Sequence, residues 1–293
     1  SPLGRIFSKP VRTISIQSVG GTEAAIQRGV ELLPELLAEA DKSRRETVPV
    51  GELSLGLKCG GSDAFSGLSA NPALGHASDI LIANGGTSII TEVPEFAGAE
   101  HLYATRCRTR EGSEQVFGAM RRFRDYLQRA GHSMDENPSP GNKEGGLLNI
   151  TLKSLGALAK SGTGPVEGVI NYGAVPPHRG HWMLYCPSYD PISTTALVAS
   201  GCQIVAFTTG RGTGLGNAIV PVLKIAANSE LAARLEADID LNAGRILDGE
   251  ADIETVGRQL FDLTLATASG QWCRAEHNRH REFLIWDEEG VSL

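Results

Sequence analysis

The chain has 293 residues, of which 41% are hydrophobic and 21% charged, and its formal net charge is −7. The mildly acidic balance argues against nonspecific nucleic-acid binding, and no apolar stretch is long enough for a membrane span. Glycine is abundant, at 35 residues, but it has no three-residue period and apolar residues are plentiful, which excludes collagen-like and disordered classes. We therefore expect the excess glycine in turns and binding loops.

The cysteines are odd in number and widely spread along the chain: Cys59, Cys107, Cys186, Cys202 and Cys273. They form no CxxC pair, so the sequence predicts neither a disulfide framework nor a zinc finger. This usage favours a reducing compartment, and we expect a cytoplasmic protein.

The predicted elements alternate between helices and strands. The apolar periodicity predicts a first helix from Thr22 to about Arg45, with Thr22 as its N-cap. Further on we predict, in order, a strand at 53–58, a helix at 71–84, a strand at 87–91, a helix at about 111–129, a loop at 132–146, a helix at 147–159, a strand at 182–186, a helix ending near 200, a strand at 202–209, and helices near 229–236 and 253–269. This alternation predicts one α/β domain over 1–293 with a mainly parallel sheet.

Four predicted strands end directly in polar segments that contain glycine or proline, at 59–63, 92–95, 187–191 and 210–214. In open α/β sheets, ligands bind outside the carboxyl ends of the strands. We therefore expect these four segments to line one crevice.

The loop after the fourth of these strands, TTGRGTGLGN, has four glycines at alternate positions and one arginine. Such glycines let successive backbone N–H groups point into an anion-binding concavity, and Arg211 could grip a carboxylate or phosphate. The alternative is a glycine-rich turn with an exposed arginine. Neither the dinucleotide pattern GxGxxG nor a Walker A motif is complete.

A metal site is one interpretation of the first two strand ends. Cys59 with Asp63, Glu92 and Glu95 would give one soft and several hard ligands, a set that suits Fe²⁺ or Mn²⁺. In the alternative interpretation, Cys59 is a small buried residue, Asp63 caps the following helix and Glu92 pairs with a base.

Acid–base candidates lie in two other segments. Lys143, where a loop meets a helix, could be a general base if desolvated or an anion contact if not. Tyr189 and Asp190 form a second candidate pair, although Asp190 could equally cap a turn. The histidine pairs 178/181 and 277/280 have a spacing that could share a metal, but we expect them on an exposed turn and a solvated tail.

One family shares a series of these motifs in order: KCGGSDAFSGLSANPALG, TEVPE with GAEH behind it, NPSPGNKEGG, SYDPIS and FTTGRGT. The chain resembles the altronate/galactarate dehydratases of sugar acids, a family that also includes sulfolactate sulfo-lyase large subunits, from about Ile14 to Trp286. The resemblance implies a Rossmann-like three-layer domain from the C-terminal part of a longer dehydratase, with the N-terminal SAF domain absent. It also implies a homo-oligomer.

The activity implied by the resemblance is removal of water from a sugar acid such as galactarate or altronate, which gives a 2-keto-3-deoxy acid through an enediolate-type intermediate. It implies a divalent metal, Fe²⁺ first and Mn²⁺ or Mg²⁺ as alternatives, and no nucleotide cofactor. Alternatives are a lyase of the same family acting on another small hydroxy acid such as sulfolactate, or a phosphate- or nucleotide-binding module.

The site residues expected on this basis fall into three groups. The catalytic group is Lys143, Tyr189 and Asp190, and the metal group is Cys59, Asp63 and Glu92. The substrate group consists of Gly60, Gly61, Asn71, Asn142, Thr209, Gly210, Arg211, Gly212 and Lys224.

Overall fold

A computed structural model of the protein describes residues 9–288, and the chain divides into two compact units, 1–48 and 49–293. In the first unit, α1 (Thr22–Ala40) begins one residue after its N-cap, Gly21. Gly21 has a φ of 108°, which favours glycine, so the predicted cap at Thr22 is wrong by one residue. The helix also ends five residues before the predicted Arg45.

The described residues of the second unit form one sheet of seven strands, all parallel. The strands are β1 (Ser54–Cys59), β2 (Thr87–Ile90), β3 (Val166–Ile170), β4 (Gly180–Leu184), β5 (Ile204–Thr209), β6 (Val222–Ala226) and β7 (Leu241–Asn242). The predicted parallel α/β sheet is confirmed. Three strands lack a sequence prediction: β3 carries a glutamate and a glycine in VEGVI, β6 has five residues with Lys224 among them, and β7 has only two residues.

The helices of this unit are α2 (Ala70–Ala83), α3 (Glu100–Ala104), α4 (Arg110–Arg129), α5 (Pro140–Glu144), α6 (Ile150–Leu158), α7 (Asp190–Ala199), α8 (Ser229–Arg234), α9 (Ile253–Ala268) and α10 (Arg274–His277). The stretch predicted as a loop at 132–146 thus contains the short helix α5. Ser139 caps it, since its hydroxyl accepts from the Asn142 amide. None of the described helices has both the length and the apolar content needed to cross a membrane.

Three layers follow from the side-chain directions along β1. Gly56 faces α7, because a Cβ there would lie 3.0 Å from Leu197. The opposite face carries α2, whose Ser78 hydroxyl donates to Ser88 of β2 at 2.8 Å. The sheet is therefore covered by helices on both sides, as its buried central strands require.

The strand order is β3-β4-β2-β1-β5-β6-β7. The chain leaves β1 through α2 toward β2 on one side, and it returns through α7 from β4 to β5 on the other side. The order therefore reverses beside β1, and such a reversal opens a crevice at the carboxyl ends of the strands.

Candidate active site

A cavity of about 690 Å³ lies at the carboxyl edge of the sheet. Residues 59–61 at the end of β1, 94–95 after β2 and 188–190 after β4 line it, together with residues of the 132–142 segment. Three of the four predicted strand-end segments therefore meet in one crevice. The fourth, at 210–214, is not among the residues that line this cavity.

Behind the cavity wall lies a buried ionic network, whose first half is centred on Lys58. The Lys58 ammonium donates to Glu92 Oε1 and to the carbonyl of Cys59, and it lies 2.7 Å from Asp190 Oδ1. Lys58 points to the α7 side of β1, so it reaches Asp190 at the first turn of that helix. Lys58 therefore links residues at the ends of three strands: Cys59 of β1, Glu92 after β2 and Asp190 after β4.

The second half of the network lies on the other side of Glu92. Lys160 Nζ lies 2.6 Å from Cys59 Sγ, 3.1 Å from Glu92 Oε2 and 3.5 Å from Glu95 Oε2. Lys153 Nζ lies 3.0 Å from Glu95 Oε1 and opens onto the cavity. The lysines 58, 153 and 160 thus face the acids Glu92, Glu95 and Asp190, which gives a formal balance of charge.

Burial and mutual charge set the protonation of this network. Burial raises the pKa of Glu92, and the charge of Glu95 raises it further. Burial also opposes ionisation of Glu95, but the lysines, Lys153 first, hold the pKa of Glu95 well below its usual range. Burial raises the pKa of the Cys59 thiol to about 12. The network therefore keeps Glu95 ionised and Cys59 as a thiol.

The backbone at Glu92 is strained. Its φ of 76° and ψ of 61° lie in the left-handed region, and its side chain is fully buried. This conformation aims one carboxyl oxygen at Lys58 and the other at Lys160 and the Cys59 amide, which donates at 3.1 Å. A non-glycine residue held this way costs on the order of 1–3 kcal/mol and is typical of functional sites.

Gly60 has a specific packing role. A Cβ at this position would lie 2.5 Å from Asp190 Oδ2, so only glycine lets that carboxylate approach the end of β1. Gly210 does the same for Asp63, whose carboxyl carbon would lie 2.2 Å from a Cβ. Acidic side chains of the protein therefore occupy the space beside both glycines.

The predicted metal group is brought together only in part. Cys59, Glu92 and Glu95 place one donor atom each within 4.8 Å of one another. Asp63 lies outside this group, because its carboxylate accepts from the Ser66 amide at 2.8 Å and from Asn228 Nδ2 at 3.0 Å. The alternative expectation, that Asp63 caps the following helix, is wrong, because α2 begins at Ala70 after Ser69, and Asp63 instead closes a turn by accepting from the Phe65 and Ser66 amides.

A thiolate with two carboxylates is a suitable donor set for a divalent transition metal. However, Lys160 Nζ is within 3.5 Å of one donor atom of each residue of the set, so its ammonium fills the place an ion would take. As folded, the Cys59, Glu92 and Glu95 group does not fit a metal ion.

Of the predicted catalytic residues, Tyr189 and Asp190 line the cavity, whereas Lys143 is exposed and is not among its lining residues. Among the predicted substrate residues, Gly60, Gly61 and Asn142 line it. Asn142 donates to the Ser62 carbonyl at 2.8 Å and accepts from Lys153 at 3.2 Å.

The other predicted substrate residues bond within the protein. Asn71 accepts from Thr208 at 2.6 Å, Thr209 accepts from the Gly212 amide at 2.9 Å, and Arg211 pairs with Glu144 at 3.0 Å. Lys224 lies 2.9 Å from His280 Nδ1. In the glycine-rich loop, the amides of Gly210 and Gly216 donate to the Gly61 carbonyl and to Glu282.

The expectation that both histidine pairs lie on the surface is wrong for His181. This residue belongs to β4 and is buried, and its Nδ1 lies 2.6 Å from the Ser88 hydroxyl. Burial lowers its pKa to about 3, so the ring is neutral. The predicted strand begins two residues too late, which leaves His181 in the preceding turn.

Sequence reasoning gave no role to Lys58 or Lys160, although both carry a signal. Lys58 is a charged residue inside an otherwise apolar strand, LSLGLK. Lys153 and Lys160 are seven residues apart, which puts them on one face of a helical segment. Charged residues on buried elements are expected to be paired, so these positions pointed to buried acids.

The chain is similar in sequence to several known proteins. Residues 50–291 match the family described as D-galactarate/altronate dehydratase, C-terminal. The chain is 42% identical to an altronate dehydratase of Bacillus subtilis over 97% of this chain and 56% of that protein. It is 41% identical to the L-threo-forming galactarate dehydratase of Escherichia coli over 89% of this chain and 51% of that protein.

A third relative is the (2R)-sulfolactate sulfo-lyase subunit beta of Chromohalobacter salexigens, which is 34% identical over 96% of this chain and 73% of that protein. The chain spans about half the length of the curated dehydratases it matches. The resemblance seen in the sequence motifs is confirmed, and the chain belongs to the D-galactarate/altronate dehydratase family, in the C-terminal region of its members.

Proposed function

We propose that this chain carries the reaction site of a sugar-acid hydro-lyase that acts on a substrate such as galactarate or altronate. The observation that carries the proposal is that Lys153 and Asp190 both line one cavity, with the buried ion pairs of Lys58 and Lys160 behind its wall. The names of the relatives support dehydration as the reaction class.

The first chemical step removes a proton from the carbon next to the substrate carboxylate. The resulting enediolate carries extra negative charge, which fixed cationic groups in a dry site stabilise. Lys153 is the lysine of the buried network that lines the cavity, and its Nζ is held by Glu95 at 3.0 Å and Asn137 at 2.9 Å. We therefore assign two roles to Lys153: it binds the substrate carboxylate, and it stabilises the negative charge of the enediolate.

Asp190 is the base in this proposal. Its side chain is 32% exposed and lines the cavity, and Lys58 holds one oxygen at 2.7 Å, which leaves Oδ2 available to take the proton. The adjacent Tyr189 then protonates the departing hydroxyl as the C–O bond breaks, which yields water and an enol. Tautomerisation of the enol gives the 2-keto-3-deoxy acid, and return of the abstracted proton from Asp190 to Tyr189 regenerates both side chains.

The dependence on a divalent metal remains a prediction from the family resemblance, with Fe²⁺ as the first expectation. Because Lys160 fills the donor set of the described site, the steps above use only side chains of this chain. A base role for Lys143 and an anion site in the 210–216 loop stay as the alternatives to the roles proposed for Asp190 and Lys153.

The test is an assay of the full-length protein for a 2-oxo product from aldarates, aldonates and sulfolactate. We expect product from a sugar acid, and Asp190→Asn should lower kcat by about 10²–10⁴-fold, as loss of a general base does. Asp262→Asn, an exposed change on α9, is the matched control. Product from sulfolactate alone would transfer the proposal to the sulfo-lyase reaction, and no product from any substrate would overturn it.

A further inference from the structure

The donor group of Cys59, Glu92 and Glu95 has an inner and an outer side. The two Oε2 atoms and Cys59 Sγ face Lys160, at 2.6–3.5 Å. We call the space between these three donor atoms the centre of the group. The other carboxyl oxygens face away from it: Glu92 Oε1 toward Lys58 and Glu95 Oε1 toward Lys153. Lys160 is therefore the lysine that contacts a donor atom of all three residues, whereas Lys153 neutralises Glu95 from outside.

Lys160 is held in this position by its own segment. It lies in a short 3-10 turn, Ala159–Ser161, directly after α6. The Arg106 guanidinium donates to the Ser161 hydroxyl at 2.7 Å and to the Ser161 carbonyl at 2.9 Å. Just after this turn, the Thr163 and Gly164 amides donate to the Asp79 carboxylate at 2.8 and 3.0 Å. Fixed anchors on this segment hold the ammonium in the centre.

Electrostatics then decides what the centre can hold. A lysine ammonium and a divalent ion cannot share a space bounded by three donor atoms that lie within 4.8 Å of one another. Repulsion between like charges at such distances, at an effective dielectric constant near 20, costs enough to weaken ion binding by several powers of ten. The donors are chemically fit for a metal, and the lysine keeps it out.

We propose that Lys160 is the built-in cation of this site, that its ammonium excludes divalent metal from Cys59, Glu92 and Glu95, and that removing its charge converts the group into a thiolate–dicarboxylate metal site. This concerns the occupant of the donor group only. It stands independently of the proposed dehydration and does not depend on which substrate is used.

The test is titration of the full-length protein with Co²⁺, read by the near-ultraviolet charge-transfer band of a cobalt–thiolate bond. Lys160→Met should show this band and bind Co²⁺ at least about 100-fold more tightly than the unmodified protein. Lys153→Met is the matched control, because it removes a lysine from the same Glu95 without opening the centre, and it should show no band. Cys59→Ser added to Lys160→Met should abolish the band.

Stability gives a second readout, since Lys160→Met leaves its acids short of one cation. Co²⁺ should raise the Tm of Lys160→Met but not that of Lys153→Met. If Lys160→Met unfolds without metal, refolding in Co²⁺ should restore both fold and band. The proposal is overturned if the unmodified protein shows the Cys59-dependent band with equal affinity, or if Lys160→Met with Co²⁺ shows none.

Discussion

Two ion pairs near the same edge of the sheet have nearly opposite environments. The side chains of Lys58 and Glu92 are 0% and 1% exposed, whereas those of Arg211 and Glu144 are 43% and 71% exposed. Both pairs lie in segments whose sequence suggests ligand binding. Exposed pairs contribute about 0–1 kcal/mol, whereas removing one member of a buried pair leaves a charge without compensation.

This contrast explains where the chemistry concentrates. The buried pair belongs to a network in which the lysines 58, 153 and 160 and the acids Glu92, Glu95 and Asp190 satisfy one another beside a cavity. The exposed pair joins the loop after β5 to the end of α5, and both side chains remain in contact with solvent. Preorganised charge in a dry site is worth more to a reaction than the same charge in water.

The largest expected effect comes from breaking the buried pair. Glu92→Gln should lower the free energy of unfolding by about 3–5 kcal/mol, because it leaves Lys58 and Lys160 with too little negative charge. Urea denaturation measures this value. The double variant Lys58→Met with Glu92→Gln restores the balance, and it should be less destabilised than the sum of the single variants. A loss below about 1 kcal/mol for Glu92→Gln would remove the distinction between the two pairs.

The pH dependence of stability gives the next effect. Burial opposes the charge of Lys58 and Lys160, but the neighbouring acids outweigh it and raise the pKa of both above the ordinary value. This stabilisation is fully present below the unfolded-state pKa of about 10.4 and is lost as pH rises through the folded-state pKa. The free energy of unfolding should therefore fall as pH rises above about 10.4, by up to about 1.4 kcal/mol per pH unit for each lysine.

Lys58→Met is the control for this alkaline loss. Its free energy of unfolding should fall less steeply with pH than that of the unmodified protein. The difference in slope should correspond to about one fewer proton released on unfolding. Equal slopes for the two proteins would mean that Lys58 titrates in the folded state as it does in the unfolded chain.

The smallest effect belongs to the exposed pair. Arg211→Ala should change the free energy of unfolding by no more than about 1 kcal/mol, because solvent screens the Arg211–Glu144 pair. We also expect a small change in KM, since Arg211 is already bonded to Glu144 and to the Gly141 carbonyl. A large rise in KM with unchanged kcat would instead show that Arg211 holds the substrate carboxylate.

The sequence predicted the fold because apolar periodicity carries most of the information for buried parallel strands. It was enough to place β1, β2 and β5 to within one or two residues. It failed at β3, where Glu167 and Gly168 interrupt the apolar pattern although the strand pairs with β4. Tertiary pairing decides such segments, and a local pattern does not contain it.

The candidate site was predictable in its location and only in part in its chemistry. Strand ends gave Cys59, Glu92 and Asp190, because parallel strands bring their carboxyl ends to one edge. The partners of these residues were harder to predict from the sequence, since Lys160 contacts Cys59 from 101 positions away along the chain. The local signs that such partners existed were a charge inside a predicted buried strand, Lys58, and two lysines seven residues apart, Lys153 and Lys160.

The most direct test of the account compares Lys153→Met with Lys143→Met in the full-length protein, by kcat/KM for a sugar acid that the protein dehydrates. Lys153 lines the cavity and is bonded to Glu95, whereas Lys143 is exposed and is not among the lining residues. We predict that Lys153→Met lowers kcat/KM by at least about 100-fold, as loss of a donor to a developing anion does, and that Lys143→Met leaves it nearly unchanged. The reverse result would contradict the assignment of the reaction to this cavity.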